Sequence, residues 1–109
     1  MKKKILVAGG AGFIGFHLCQ KLLKKNYVIC VDNLYTGSKK NVDFLNKNKN
    51  FQFIKKDIQK KFHLKCDEIY NLACPASPKF YQKNPLETIK TNILGSINLL
   101  DIANKNNAK

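Results

Sequence analysis

A glycine-rich segment near the N-terminus has the residue types and the spacing of a phosphate-binding loop. Gly9, Gly12 and Gly15 follow a short apolar run and open a helical pattern. We expect Gly9 to allow a tight turn, Gly12 to let the backbone approach a pyrophosphate, and Gly15 to permit close packing of helix on strand. The free N–H groups at the start of the helix would bind the anion. The segment therefore predicts a dinucleotide-binding loop, the alternative being a helix start with incidental glycines.

Two acidic residues stand at the ends of predicted strands, where ligands collect in open α/β sheets. Asp32 follows the second apolar run. A carboxylate at this place accepts hydrogen bonds from ribose hydroxyls and repels a 2′-phosphate, which favours NAD over NADP. Asp57 follows the third run and could face the adenine, although an Asp there is more often a turn or capping residue. His17 and His63 have no neighbouring group that would make either of them catalytic.

Alternating strands and helices must position these residues. Short apolar runs predict strands at 4–8, 27–31, 51–54 and 68–73. Helical patterns occur at 12–25, around 42–45 and at 85–104. The apolar faces of the first and last helices are expected to contain Ile14, Leu18 and Leu22, and Ile89, Ile93, Ile97 and Leu100, respectively. This alternation predicts a Rossmann-like, doubly wound parallel α/β sheet of about four strands. We expect residues 1–109 to be the N-terminal part of a single dinucleotide-binding domain, with an incomplete sheet and no substrate domain.

The composition argues against several classes of protein. The net charge is +13, but every basic residue is lysine. Because nucleic-acid readers depend on arginine for bidentate contacts, a nucleic-acid partner is disfavoured. No apolar stretch could span a membrane and no signal peptide is evident, so we expect a cytoplasmic protein without a membrane partner. Cys19, Cys30, Cys66 and Cys74 have the spacing of neither a metal site nor a disulfide scaffold, and Cys30 should be a buried small apolar residue.

Several segments together resemble the extended short-chain dehydrogenases/reductases, the NAD-dependent epimerase/dehydratase family that acts on nucleotide sugars. Segment 9–15 has that family's Gly-x-x-Gly-x-x-Gly spacing, and segment 32–37 resembles its second cofactor-binding loop. Segments 72–78 (Leu-Ala-Cys-Pro-Ala-Ser-Pro), 84–85 and 88–95 are similar to those of the UDP-glucuronate decarboxylases within the family. The glycine loop identifies only the superfamily, whereas segment 72–78 is much more selective. The resemblance covers essentially the whole chain.

This resemblance implies a role for each residue of the predicted site. The pyrophosphate would be held by Gly9, Gly12, Phe13, Ile14 and Gly15. The adenosine half would be surrounded by Asp32, Asn33, Tyr35, Thr36 and Gly37, and the adenine would be bordered by Asp57 and Ile58. The rest of the cofactor pocket would be lined by Leu72, Cys74 and Thr91. Lys90 would lie near the nucleotide sugar, the alternative being a solvated lysine on a helix surface.

The chain also departs from the family pattern. Phe16 stands where a small serine is common and would crowd the phosphate loop, and segment 59–63 differs from a more acidic, proline-containing version near the substrate. In the family, a Tyr-x-x-x-Lys helix supplies the acid–base chemistry later in the chain, and no such helix follows Lys90. We therefore expect no catalytic residue and no turnover within residues 1–109. We also expect poor stability, with the fourth strand at an exposed edge and helix faces left uncovered.

The function that the resemblance implies is the NAD-binding portion of a UDP-glucuronate decarboxylase. In such an enzyme NAD would take a hydride from the carbon that bears the sugar's 4-hydroxyl, while a tyrosinate takes the hydroxyl proton. The 4-ketone would promote loss of carbon dioxide and accept the electron pair as an enolate. Protonation of this enolate and return of the hydride to the same carbon would give UDP-xylose. UDP-glucuronate would be the substrate, and the complete enzyme would be a homodimer. Three alternatives remain open: another nucleotide-sugar epimerase or 4,6-dehydratase, which Pro-Ala-Ser-Pro disfavours, a non-catalytic NAD-binding remnant, and a basic nucleic-acid binder.

Overall fold

A four-stranded parallel sheet forms the centre of the protein. The computed structural model describes residues 2–35, 37–73, 82–83 and 85–109. The strands are β1 (Lys4–Ala8), β2 (Tyr27–Asp32), β3 (Phe51–Lys55) and β4 (Glu68–Asn71), in the spatial order β3-β2-β1-β4. All three pairings are parallel. The predicted strand positions and the doubly wound parallel α/β class are confirmed. The fourth strand ends at Asn71, earlier than predicted, because the Asn71 side chain accepts a hydrogen bond from the Ala73 N–H.

Helices cover both faces of the sheet. They are α1 (Phe13–Leu22), α2 (Lys39–Leu45), α3 (Pro85–Lys90) and α4 (Ser96–Asn106), and a π-helical segment (Thr91–Gly95) joins α3 to α4. Helix α1 is shorter than the predicted 12–25. It ends at Leu22, where the bonding tightens: the N–H groups of Lys24 and Lys25 donate to the carbonyls three residues earlier, those of Lys21 and Leu22. The helix predicted at 85–104 is present, but its α-helical bonding is interrupted by the π turn.

Alternate residues of the two central strands build two separate hydrophobic layers. Ile5 and Val7 of β1 face α1 and α2, whereas Leu6 and Ala8 face α4. The first layer is completed by Val28, Cys30, Cys19, Leu23, Val42 and Leu45. The second layer is completed by Ile29, Val31, Ile58, Phe62, Leu99 and Ile102. Because both faces of β1 and β2 are covered, these strands are continuously apolar, as is usual for parallel sheets.

The buried face of α1 differs from the expected one. Ile14 is 67% exposed, and the buried positions of this helix are Gly15 and Cys19. The expected periodicity of Ile14, Leu18 and Leu22 was therefore wrong at its first member. The physical reason is the close packing of Gly15 on the glycine turn, which orients the first turn of the helix and directs Ile14 away from the sheet.

The last helical region exposes its isoleucine face. Ile89, Ile93, Ile97 and Leu100, the expected apolar face, are each more than half exposed. The sheet is covered instead by Leu99 and Ile102. Strand β4 lies at one edge of the sheet, also as expected. Within the described ranges, no helix combines the length and the apolar character needed to cross a membrane.

Candidate functional site

A cleft of about 240 Å³ opens at the carboxyl ends of the strands. This edge of an open parallel sheet is where ligands bind in doubly wound folds. The cleft is lined by Gly9, Gly12, Val31, Asp32, Asn33, Tyr35, Lys56, Asp57, Ile58, Gln59, Leu72, Ala73, Glu87, Thr88 and Thr91. The loops that follow all four strands therefore contribute to one site, together with one side of α3 and the π segment.

The glycine turn after β1 is determined by close backbone contacts. Gly9 has a φ of 84°, and a Cβ on it would collide with the Leu72 carbonyl and lie 2.9 Å from the Ala73 Cα. Its N–H donates to the Val31 carbonyl at 2.8 Å, so the turn fits between the ends of β2 and β4. A Cβ on Gly15 would meet the Gly9 carbonyl oxygen and lie 2.7 Å from the Gly10 Cα. Both glycines are required by the protein's own packing.

Gly12 is different, because the protein itself leaves room beside it. The nearest atom to a Cβ built on Gly12 is the Gly9 carbonyl oxygen at 3.5 Å, an ordinary contact distance. Gly12 lines the cleft and precedes α1, whose start has no side-chain cap. The first N–H groups of a helix have no partner within it and carry the positive end of the helix dipole. This corner of the cleft has the chemistry of an anion site that a ligand approaches closely.

The Asp32 carboxylate organises the glycine loop. Its Oδ2 accepts a hydrogen bond from the Ala11 N–H at 3.0 Å, and its Oδ1 accepts one from the Leu34 N–H at 2.7 Å. Asp32 is 8% exposed and still lines the cleft. The Ala11 carbonyl in turn accepts from the Ser38 N–H and the Asn41 amide. The loop after β2 is thus tied to the glycine loop, a structural role that the sequence did not reveal.

The opposite wall of the cleft is the segment that follows β3. The Asp57 side chain accepts the Gln59 N–H at 2.9 Å, which makes a local turn. The Gln59 amide then reaches Glu87 and Thr91, and the buried side chain of Ile58 packs against Gly95. This wall places the carboxylates of Asp57 and Glu87 at the cleft, in addition to that of Asp32.

The structure brings most of the predicted site residues together. Those that line the cleft are Gly9, Gly12, Asp32, Asn33, Tyr35, Asp57, Ile58, Leu72 and Thr91. Those that lie outside its lining are Phe13, Ile14, Gly15, Gly37 and Lys90. Phe13 and Ile14 expose their side chains at the first turn of α1, where their backbone N–H groups belong to the N-terminus of the helix. Gly37 packs on Ala11 and Asp32, where a Cβ would lie 2.9 Å from the Ala11 Cβ. Thr36 and Cys74 lie outside the described residues.

Other residues of the cleft were not predicted from the sequence. They are Val31, Lys56, Gln59, Ala73, Glu87 and Thr88. The sequence pattern did not mark them as site residues, because four of the six are polar residues of the kind that commonly occur in loops and on helix surfaces. Phe16, expected to crowd the phosphate loop, lies instead against the α1–α2 layer, with its ring edge-on to Phe44 at 5.7 Å between centroids. It does not belong to the cleft lining.

Two thiols lie directly beneath the glycine loop. A Cβ on Gly10 would lie 2.6 Å from the Cys30 Sγ and 3.0 Å from the Cys19 Sγ. A hydrogen bond with Cys19, reinforced by burial, raises the pKa of the Cys30 thiol far above its ordinary value. Cys30 is therefore a neutral packing residue, and its predicted burial is confirmed. Among the described residues, no group of three metal-ligating side chains is found.

The spacing Tyr-x-x-x-Lys does occur once, at Tyr35 and Lys39. Tyr35 lies in the loop after β2, and Lys39 is the first residue of α2, so the two are not successive turns of one helix. His17 contacts the rings of Phe13 and Phe16, and His63 is exposed in the loop between β3 and β4. The described part of the cleft thus offers binding groups without a tyrosine–lysine pair on one helix.

The sequence matches a known protein family over almost its whole length. The model of the GDP-mannose 4,6 dehydratase family matches residues 6–109. The chain belongs to this family. That membership confirms the resemblance to the NAD-dependent epimerases and dehydratases and accounts for the glycine turn, the acid at the end of β2 and the parallel sheet.

The chain is also similar in sequence or in structure to individual nucleotide-sugar enzymes. UDP-glucuronic acid decarboxylase 6 of Arabidopsis thaliana is 48% identical over 108 residues, which are 97% of this chain and 32% of that protein. A UDP-N-acetylglucosamine 4-epimerase from Methanobrevibacter ruminantium M1 superposes with a TM-score of 0.83 and 33% identity, covering 100% of this chain and 36% of the epimerase. A UDP-glucuronic acid 4-epimerase mutant from Bacillus cereus, solved with UDP-4-deoxy-4-fluoro-glucuronic acid and NAD, has a TM-score of 0.78 and 34% identity over 92% of this chain and 36% of its own. The chain spans about a third of the length of the relatives that it matches.

Proposed function

We propose that residues 1–109 form the NAD-binding portion of a UDP-glucuronate decarboxylase. The single observation that carries this proposal is the cleft at the carboxyl edge of the sheet, in which the glycine turn, the uncapped start of α1 and the Asp32 carboxylate converge. UDP-glucuronic acid decarboxylases are relatives with 43–48% identity to this chain, whereas the solved 4-epimerases are 27–34% identical to it. This difference favours decarboxylation over epimerisation as the reaction of the full-length enzyme.

The residues of the cleft fit the parts of NAD in order. The pyrophosphate would be bound by the N–H groups at the start of α1, which Gly12 leaves open to close approach. Each oxygen of the Asp32 carboxylate accepts one protein N–H, and a carboxylate has about four lone-pair sites, so acceptor capacity remains for the ribose hydroxyls. The adenine would lie against Asp57 and Ile58. The nicotinamide half would extend toward Leu72 and Thr91, where the bound cofactor would supply hydride transfer.

The charge of the cleft supports NAD over NADP. Three carboxylates, those of Asp32, Asp57 and Glu87, line the cleft together with one ammonium group, that of Lys56. This local excess of negative charge contrasts with the +13 of the whole chain. A 2′-phosphate would add about two more negative charges beside Asp32, which like-charge repulsion disfavours.

The finer parts of the proposal concern the full-length enzyme. UDP-glucuronate would be its substrate, with Lys90 near the sugar nucleotide, and the cytoplasm would be its location. The exposed isoleucine face of α3 and α4 supports a homodimer. The acid–base chemistry would be supplied from outside residues 1–109, so we expect this chain to bind NAD without turnover. Formation of UDP-xylose from UDP-glucuronate by the purified chain would contradict that expectation.

The experiment that tests the proposal is a calorimetric titration of the chain with NAD and with NADP at two salt concentrations. We expect one-to-one binding of NAD and at least about tenfold weaker binding of NADP, because the carboxylates oppose the extra phosphate. If the lysine-rich surface were responsible instead, NADP would bind more tightly than NAD and both affinities would fall steeply with salt. That order of affinities would refute the proposed site.

A further inference from the structure

The loop that follows β3 is attached to the last helical region at three successive places. The Gln59 amide contacts Glu87 and Thr91, and a Cβ on Gly95 would lie 2.7 Å from the Ile58 Cγ1. Farther along the helix, the Asn98 side chain donates to the Ile58 carbonyl at 2.7 Å, and this bond is buried. A two-residue segment of loop is therefore held along about three helical turns.

The orientation of the Gln59 amide is determined by its partners. Its Nε2 lies 3.1 Å from the Glu87 Oε2 and 3.2 Å from the Thr91 Oγ1. A carboxylate can only accept hydrogen bonds at neutral pH, so the NH₂ group of Gln59 must face Glu87. The backbone N–H of Gln59 donates to the Asp57 carboxylate at the same time. Gln59 thus links the acid at the end of β3 to α3.

The π segment makes these contacts compatible with one another. It spans Thr91–Gly95, so its first residue contacts Gln59 and its last residue packs on Ile58. Its i→i+5 bonding takes up more residues per turn than an α-helix does, which changes the direction of the side chains that follow. Such single π turns are rare and occur frequently at functional sites. Here the change of register lets Thr91 contact Gln59 while Gly95 and Asn98 both reach Ile58.

The two elements joined in this way form one wall of the cleft. Gln59 and Asp57 line it from the loop, and Glu87 and Thr91 line it from the helix. We propose that Gln59 is a positioning residue for the bound dinucleotide. By bridging the β3 loop to Glu87 and Thr91, Gln59 sets the width of the cleft. This inference rests on the proposed function of the cleft, and the Gln59–Glu87 pair is its testable element.

An exchange of the two side chains tests this bridge. In Gln59→Glu, two carboxylates face each other at about hydrogen-bond distance, so the bridge should open. In the double variant Gln59→Glu/Glu87→Gln, the amide and the carboxylate have changed places and the charge-assisted hydrogen bond is restored. Gln52→Glu is the matched control, because it adds the same charge at an exposed position of β3 outside the cleft lining.

The first readout is the affinity for NAD, measured by calorimetry. We expect Gln59→Glu to weaken binding about tenfold and the double variant to return to within about threefold of the wild type, as coupled neighbours do. The control should change the affinity less than about twofold. A double variant as weak as Gln59→Glu, or a control as damaging as Gln59→Glu, would overturn the assignment of Gln59.

The second readout is amide hydrogen exchange of residues 87–98 without ligand. We expect faster exchange in Gln59→Glu than in the wild type and restored protection in the double variant. Failure of the wild-type chain to bind NAD would refute the proposed function, and the exchange cycle would still decide on the bridge. Equal exchange in Gln59→Glu and the wild type would refute the bridge even if NAD binds.

Discussion

Replacement of Asp32 by alanine is expected to destabilise the protein more than the loss of any other cleft side chain. The change removes the acceptor of two backbone N–H groups, those of Ala11 and Leu34. A hydrogen bond to a charged group contributes about 1.5–3 kcal/mol, and an unpaired buried donor costs about 1–3 kcal/mol. Ala11 is fully buried, so water cannot replace the lost partner there, whereas the half-buried Leu34 N–H can be partly hydrated. We therefore expect the free energy of unfolding to fall by about 3 kcal/mol.

Urea denaturation followed by circular dichroism at 222 nm measures this loss. A fall of about 3 kcal/mol is a large part of the roughly 5–15 kcal/mol of a typical domain. Asp32→Asn should lose about 2 kcal/mol, because an amide has one acceptor oxygen and presents its NH₂ group to the second N–H. Asp57→Ala is the matched control, since this half-buried carboxylate accepts one backbone bond among the described residues, from Gln59, and its loss should cost about 1 kcal/mol. Equal losses in Asp32→Ala and Asp57→Ala would refute the assignment of the loop-organising role to Asp32.

Three further predictions address the glycine loop, the thiols and the surface. Gly12→Ala should change the unfolding free energy by less than about 0.5 kcal/mol but weaken NAD binding at least about tenfold. Gly15→Ala should instead lower the melting temperature, because its Cβ would meet the Gly9 carbonyl. Equal melting temperatures of the two variants would contradict this distinction. Cys19, Cys30 and Cys66 are buried, and burial raises the pKa of the Cys66 thiol. Because iodoacetamide reacts with accessible thiolates, peptide mapping should find these three residues modified only after unfolding. The hydrogen bond and charge of Lys3 lower the pKa of the Glu68 carboxyl. The pair therefore stabilises the fold above the ordinary glutamate pKa, and this contribution is lost as the pH falls through the lowered pKa. In urea denaturation at acidic pH, the unfolding free energy of Glu68→Gln should depend less on pH than that of the wild type; the same pH dependence in both would contradict the pairing.

Much of the fold could be predicted from the sequence because its central strands are buried on both faces. β1 was located at its observed bounds from an apolar run that ends in glycine, and β2 was one residue longer than predicted. The glycine turn was equally clear, since a φ of 84° at Gly9 and the tight packing of Gly15 leave few other residue types possible. These features depend on neighbours in sequence or on burial, which composition and periodicity report directly.

Other features depend on contacts between distant segments. The bond of Asp32 to Ala11 joins residues 21 apart, and the contacts of Gln59 with Glu87 and Thr91 join residues 28 and 32 apart. No local pattern specifies such pairs. The π turn is similarly hidden, because a change of register within one helix alters no residue type, and only the packing of Gly95 on Ile58 shows why it is needed.

The most direct test of the NAD site is a map of backbone amide shifts during titration of ¹⁵N-labelled chain with NAD. We predict that the largest shifts occur at Phe13, Ile14 and Gly15, whose N–H groups begin α1, and next around Asp32. A second, lysine-lined concavity at the opposite end of the sheet, formed in part by Lys2, Lys4 and Lys65, provides the internal comparison. Shifts concentrated there, with the glycine loop unchanged, would show attraction of the dinucleotide to positive charge alone and would contradict the assignment of the cleft.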